Sequence, residues 1–175
     1  VSDRLEKVHQ GLGEMQTLAS GVGDLKRVLT NVKTRGTCGE IQLGNLLDQI
    51  LVPDQYERNV ITKKGSRDPV EFAIKLPGRD SAPVYLPVDA KFPKEDYERL
   101  MDAQDQANVV LIEEAGKAIE ARIKFEAKNI RDKYVDPPFT TDFAILFLPI
   151  EGLYAEVLRR PGLCDLLQKE YRISV

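Results

Sequence analysis

Val70-Glu71-Phe72-Ala73-Ile74-Lys75-Leu76, Pro77-Gly78-Arg79-Asp80-Ser81-Ala82, and Pro83-Val84-Tyr85-Leu86-Pro87-Val88-Asp89-Ala90-Lys91 form one continuous stretch whose reading decides the fold. The first and last runs alternate apolar and polar residues, the mark of half-buried strands. Phe72, Ile74 and Leu76 share one face with Val84, Leu86, Val88 and Ala90. Glu71, Ala73 and Lys75 share the other with Tyr85, Pro87, Asp89 and Lys91. The Pro-Gly pair between the runs signals a hairpin. A turn centred near Asp80 sets Glu71 opposite Asp89, and Lys91 then projects on the side of Asp89. A slip of one residue would send one acid to the other face.

Two facing acids need a reason, because directly opposed like charges destabilise a sheet. Lys91 can neutralise one of them, or a divalent cation can sit between them. Mg²⁺ is commonly held by one or two carboxylates while keeping several waters. A lysine beside such an ion can orient a water and steady the charge of a phosphate. The alternative is a surface ion-pair cluster with no chemistry.

An acid on one strand followed by Asp-x-Lys on the next resembles the PD-(D/E)xK nuclease superfamily. Longer strings resemble one family in particular. Arg35-Gly36-Thr37-Cys38-Gly39-Glu40-Ile41-Gln42-Leu43 is similar to the Gly-x-Trp-Gly-Glu-x-x-Leu signature of the RmuC family of DNA recombination proteins. Val70 to Pro77, Val88 to Pro93, and Asp142-Phe143 through Phe147-Leu148-Pro149-Ile150-Glu151 resemble that family's later blocks, in order. The resemblance runs from about Leu5 to Val175. Two positions depart from the pattern: Cys38 stands where the family has Trp, and Val70-Glu71 where it has Pro-Asp. Glu71 still offers a carboxylate, on a longer arm.

The resemblance implies a restriction-endonuclease-like α/β fold and hydrolysis of DNA phosphodiesters with Mg²⁺ or Mn²⁺. Glu71, Asp89 and Glu40 would hold the metal, and Lys91 would complete the catalytic set. It also implies a longer protein. The full-length form is expected on the cytoplasmic side, membrane-anchored through a segment outside residues 1–175, with the domain cut short at its C-terminal end.

The 175 residues suit about one domain. The composition is 42% hydrophobic and 30% charged, and the net charge is −3. This acidic balance argues mildly against non-specific nucleic-acid binding, so local charge must carry any such contact. Cys38 and Cys164 form no CxxC pair, and His9 is the single histidine. Zinc, thioredoxin and Ser-His-Asp chemistry therefore lack support. A reduced setting is the better expectation for the cysteines. No apolar run reaches membrane-spanning length, and nothing calls for an organic cofactor.

Residues 1–35 read as an N-terminal helical, coiled-coil-like segment and 36–175 as the α/β domain. Leu5, Val8, Leu12, Met15, Leu18, Val22, Leu25, Leu29 and Val32 step by threes and fours, close to a heptad seam. Gly11, Gly13, Gly21 and Gly23 weaken that helix, so it calls for a partner, either its own domain, a second copy, or an upstream coil outside residues 1–175. Thr34 to Gly39 reads as a hinge. Residues 40–51 read as an amphipathic helix with Ile41, Leu43, Leu46, Leu47, Ile50 and Leu51 as its stripe. Glu40 falls in its first turn, where the helix dipole favours a carboxylate.

Tyr56 to Thr62 reads as a strand followed by a basic turn, Lys63 to Arg67. A long helical region over 94–131 should break near Asn108 or Gly116. Its later half sets Lys117, Arg122, Lys124, Lys128, Arg131 and Lys133 against Glu120, Glu126 and Asp132, a surplus of three positive charges. Lys117, Arg122, Lys124, Lys128 and Arg131 are the candidate DNA contacts; a solvated helix face is the alternative. Asp142 to Leu148 reads as a strand covered on both faces, with two short helices and a last strand after it. The sum is a mixed central sheet flanked by helices. Three functions remain open: a metal-dependent DNA phosphodiesterase, a non-catalytic DNA-binding scaffold, and a module that self-associates through its N-terminal helix.

Overall fold

The structure is a computed structural model that describes residues 4–11 and 32–175, with side chains from Gly39 onward in the second stretch. It divides into units 1–38 and 39–175. In the first, residues 4–11 form helix α1, with Leu5 and Val8 more than half exposed. The remainder of the expected heptad seam up to Leu29 lies outside the described residues.

The second unit is built on five strands in the order β1-β2-β3-β4-β5. They are β1 (Tyr56–Val60), β2 (Val70–Leu76), β3 (Val84–Ala90), β4 (Ala144–Phe147) and β5 (Ile173–Ser174). β1, β2 and β3 are antiparallel neighbours, whereas β4 runs parallel to both β3 and β5. Tight turns can join the antiparallel strands, but each parallel step needs a crossover. Helices α3 (Lys94–Asp105) and α4 (Val109–Tyr134) make the first crossover, and α5 (Glu151–Arg159) and α6 (Leu163–Tyr171) the second.

The hairpin register is the expected one. Phe72 pairs with Val88, Ala73 with Pro87 and Ile74 with Leu86, so each pair of numbers sums to 160. Both faces of the sheet are covered. On one, Leu43 and Leu47 of α2 (Val32–Ile50) pack on Tyr56, Phe72 and Val88. On the other, Ile119, Ile123, Ala127 and Ile130 of α4 join Leu153, Val157, Leu163 and Leu167 over Ala73, Ala144, Leu146 and Ile173. The face expected to be polar is therefore roofed by α4, and Ala73 and Asp89 are buried on it.

Two expectations about α2 change. The glycine-containing stretch Thr34 to Gly39 is helical, not a hinge. A Cβ on Gly39 would meet Pro149 at 3.4 Å and Ala90 at 3.7 Å, ordinary contact, so the position lies against the sheet without requiring glycine. The apolar stripe is also only partly used. Leu43 and Leu47 are buried, while Ile41, Leu46 and Ile50 stay exposed, because the sheet covers only the narrower face they do not share. The helical break falls at Asn108, whose side chain caps α4 by accepting from the Leu111 N–H at 3.2 Å. Gly116 stays within α4, where a Cβ would lie 2.6 Å from the Arg160 guanidinium. That arginine pairs with Glu120 at 2.7 Å and ties α5 to α4. The break between α5 and α6 falls at Gly162, at φ +72°.

Candidate functional site

The site lies where β2 begins and β3 ends. One rung beyond the Phe72–Val88 pair, the register carries Glu71 opposite Asp89. The backbone N–H of Ala90 donates to Glu71 Oε2 at 2.9 Å, so the carboxylate takes the place of a further ladder rung. Burial first and the Asp89 charge second push the Glu71 carboxyl up to about 7. The Ala90 N–H and Lys91 oppose that shift, and Glu40 adds to it. Glu40, in the half of α2 that packs on the sheet, is thus within electrostatic reach of Glu71.

Asp89 is paired with Leu146 across β3 and β4, and its side chain is only 2% exposed. Lys91 Nζ lies 3.0 Å from Asp89 Oδ2. This is an ion pair without hydrogen-bond alignment, because no donor is aligned on that buried oxygen. Burial raises the Asp89 pKa and Lys91 restrains the rise, while Glu126 adds to it and Lys133 subtracts. Burial pulls Lys91 down, but Asp89, Glu126 and Glu71 outweigh it and the net direction is up.

Helix α4 adds residues that the sequence did not single out as a site. Asp89 and Lys91 open into a cavity of about 20 Å³ lined also by Glu126, Asn129, Ile130, Lys133 and Tyr134. Glu126 is buried and pairs with Arg122 at 2.8 Å. Tyr134 is pushed up by burial, then by Asp89, Asp68, Glu71 and Glu126. A signal was available: Arg122, Glu126, Asn129 and Lys133 step by four, three and four, a polar stripe beside the buried stripe Ile119, Ile123 and Ile130.

The five candidate DNA contacts on α4 do not share one face. At about 100° per residue, Lys117, Lys124, Lys128 and Arg131 cluster on one side, and Arg122 lies on the side of the cavity. Several are held by neighbours: Lys117 by Glu113 at 3.9 Å, Lys124 by Glu120 at 3.2 Å, and Arg131 by Asp132 at 2.9 Å. The basic turn after β1 is strapped to the end of α4, since Lys63 Nζ donates to the Asp132 carbonyl at 2.7 Å.

Glu71 and Asp89 are hard oxygen donors, and one of the Asp89 oxygens is buried with no aligned donor. Such a pair fits an ion that takes two carboxylates and keeps its waters. A fuller protein cage is not present: among the described residues, no three His, Cys, Asp or Glu side chains gather as metal ligands.

The Glu71 shift makes a testable statement about stability. A carboxyl at about 7 in the fold, against 4.5 ordinarily, keeps its proton where the unfolded chain has released it. Its contribution is fully present below the unfolded value and is lost as pH rises through about 7. The ceiling is about 3 kcal/mol, and solvent screening of this partly exposed group lowers it to about 1–2 kcal/mol. The metal-free protein is therefore expected to melt lower at about pH 8 than at about pH 5, and Glu71→Gln to shrink the difference. An undiminished difference in that variant would show that Glu71 does not cause it.

These features define a mixed-sheet α/β domain with an acidic pair and a lysine at a strand end. The sequence profile of the RmuC family matches residues 1–175, and the chain belongs to that family. A protein of Xylella fastidiosa (strain Temecula1), named DNA recombination protein RmuC homolog, is 62% identical over all of this chain and 39% of its own length. Proteins of the same name from Pseudomonas aeruginosa and Chlamydia trachomatis are 29% and 30% identical, over 90% and 91% of this chain and 33% and 35% of their own lengths. The chain thus spans about two-fifths of the Xylella relative and a third of the others. No solved structure matches it.

Proposed function

We propose that this domain is a restriction-endonuclease-like phosphodiesterase that hydrolyses DNA with the help of Mg²⁺ or Mn²⁺, in the service of recombination. The observation that carries the reading is the meeting of Glu71, Asp89 and Lys91, with a buried Asp89 oxygen met only by the Lys91 ammonium. The names of the relatives supply the nucleic-acid context.

Glu71 and Asp89 would hold the ion, and Glu40 would add its negative charge from α2. Bound there, a divalent cation lowers the pKa of a water and polarises a phosphoryl oxygen. Lys91 moves from Asp89 toward the phosphate, where its charge stabilises the extra negative charge of the pentacovalent state. The water oxygen would bond to phosphorus as it gives a proton to bulk solvent, the ester P–O bond would break, and the departing oxygen would take a proton from solvent. Arg122 stands on the cavity side of α4. Lys117, Lys124, Lys128 and Arg131 would meet more distant phosphates.

The test is turnover of single-stranded and duplex DNA with Mg²⁺, with Mn²⁺ and with chelator. Cleavage that needs the metal and disappears in Asp89→Ala and Lys91→Ala, both still folded, is expected. Wild-type cleavage by both variants would end the reading.

The Lys91–Asp89 ion pair favours a second reading, since a charge already neutralised needs no metal. The domain would then be a DNA-binding scaffold that self-associates through its N-terminal helix, where Leu5 and Val8 are exposed. Salt-sensitive binding without turnover in either metal, and a lower mass by light scattering once residues 1–33 are removed, would support it.

A further inference from the structure

We propose that Lys133, with Asn129 one turn before it on α4, grips the scissile phosphodiester over Asp89 and Lys91. This deepens the phosphodiesterase reading and rests on it. Two cations, Lys91 and Lys133, and two acids, Asp89 and Glu126, line the cavity, and Arg122 reaches Glu126 from outside it. Lys91 is held by Asp89 at 3.0 Å and Arg122 by Glu126 at 2.8 Å. Lys133 lines the same cavity but makes no ion pair with any described residue, so it is the surplus positive charge. Its charge is felt at Asp89, where it favours the carboxylate. It is also exposed, so an incoming phosphate reaches it without first opening the protein.

Size decides where that phosphate sits. A cavity of about 20 Å³ accepts one water and is too small for a phosphate group. The phosphodiester therefore stays at the mouth, above the ion that Glu71 and Asp89 would hold. Asn129 and Lys133 are four residues apart, about 6 Å of helix rise. The ammonium and the carboxamide can then hold two oxygens of one phosphate, or two successive phosphates. The same spacing, continued back to Arg122, lays the strand along the cavity side of α4. Lys117, Lys124 and Lys128 lie on another side of that helix.

The experiment uses the whole 175-residue chain. Binding of a labelled single strand and of its duplex is followed by anisotropy in chelator over a series of salt concentrations. Cleavage is measured in Mn²⁺. Lys133→Gln is expected to weaken binding, to lower the log–log salt slope by about one, and to slow cleavage at least tenfold. Lys133→Arg should restore most of both. Lys169→Gln, on α6 and paired with Asp165, should match the wild type. Melting curves verify that the variants fold, as expected for a change at an exposed side chain. A wild-type slope and rate in Lys133→Gln would overturn the contact and leave the phosphodiesterase reading standing. A wild type that binds with a Lys133-dependent slope but never cleaves would overturn the phosphodiesterase reading and retain Lys133 as a nucleic-acid contact. A wild type that neither binds nor cleaves overturns both.

Discussion

Asparagine at position 89 is expected to abolish metal-dependent cleavage and to raise the melting temperature of the metal-free domain. The two effects share a cause. The Asp89 carboxylate is buried, and no donor is aligned on Oδ2. Burial makes its charged form costly even beside Lys91, which is why its pKa is raised. Asn keeps the shape and removes the charge, so the cost of the charge and its repulsion on Glu71 both go. Lys91 is left with Glu126 and Glu71 nearby, and its side chain is one-third exposed, so it can turn to water. On the proposed reading cleavage would lose a metal ligand, and metal-ion catalysis is worth several kcal/mol. At about 1.4 kcal/mol per decade, the rate should fall by about three orders of magnitude or more. Lys91→Ala should lose cleavage as well, yet lower stability near neutral pH, since Asp89 then lacks its counter-charge. A rise in stability for Lys91→Ala and a fall for Asp89→Asn would reverse the electrostatic account.

The largest effect on folding is expected at Leu146. It sits on β4 opposite Asp89, is fully buried, and packs into the core with Ile119, Ile123, Leu153 and Leu167. Leu→Ala changes in such a core cost about 2–5 kcal/mol, through lost burial and the cavity left behind. Domains of this kind have only about 5–15 kcal/mol of net stability. Leu146→Ala should therefore lower the melting temperature by about 4–20 °C, at 2–4 °C per kcal/mol for this chain length. Ile50→Ala removes a side chain of the same size, but from a position 65% exposed, and should stay within about 0.5 kcal/mol of the wild type. Equal losses at the two positions would mean that α2 rests on more than the sheet face it covers.

How far the fold could be read varies along the chain for physical reasons. The hairpin was legible because alternation over two strands and a Pro-Gly turn leave one register that buries Phe72 and Val88 together. That register alone brings Glu71, Asp89 and Lys91 to one place. The cover over the second face was not legible. Alternation implies a wet face, and only the fold shows α4 laid across Ala73 and Asp89, from residues far along the chain. Burial of Asp89 followed from that cover and is what distinguishes the site from a surface ion-pair cluster. Gly39 read as a hinge because a glycine near a helix start has two explanations; the unbroken helix over Val32–Ile50 decides between them. The charges of α4 were counted along the chain rather than around the helix. The cavity-side stripe of Arg122, Glu126, Asn129 and Lys133 was therefore merged with the cations of another face.

Anomalous diffraction from crystals soaked in Mn²⁺ tests the central claim most directly. The account predicts a peak about 2.0–2.3 Å from carboxylate oxygens of both Glu71 and Asp89, with Lys91 displaced from Asp89 Oδ2. No peak at that position, with the Lys91–Asp89 pair intact at a metal concentration that saturates any cleavage, would contradict it.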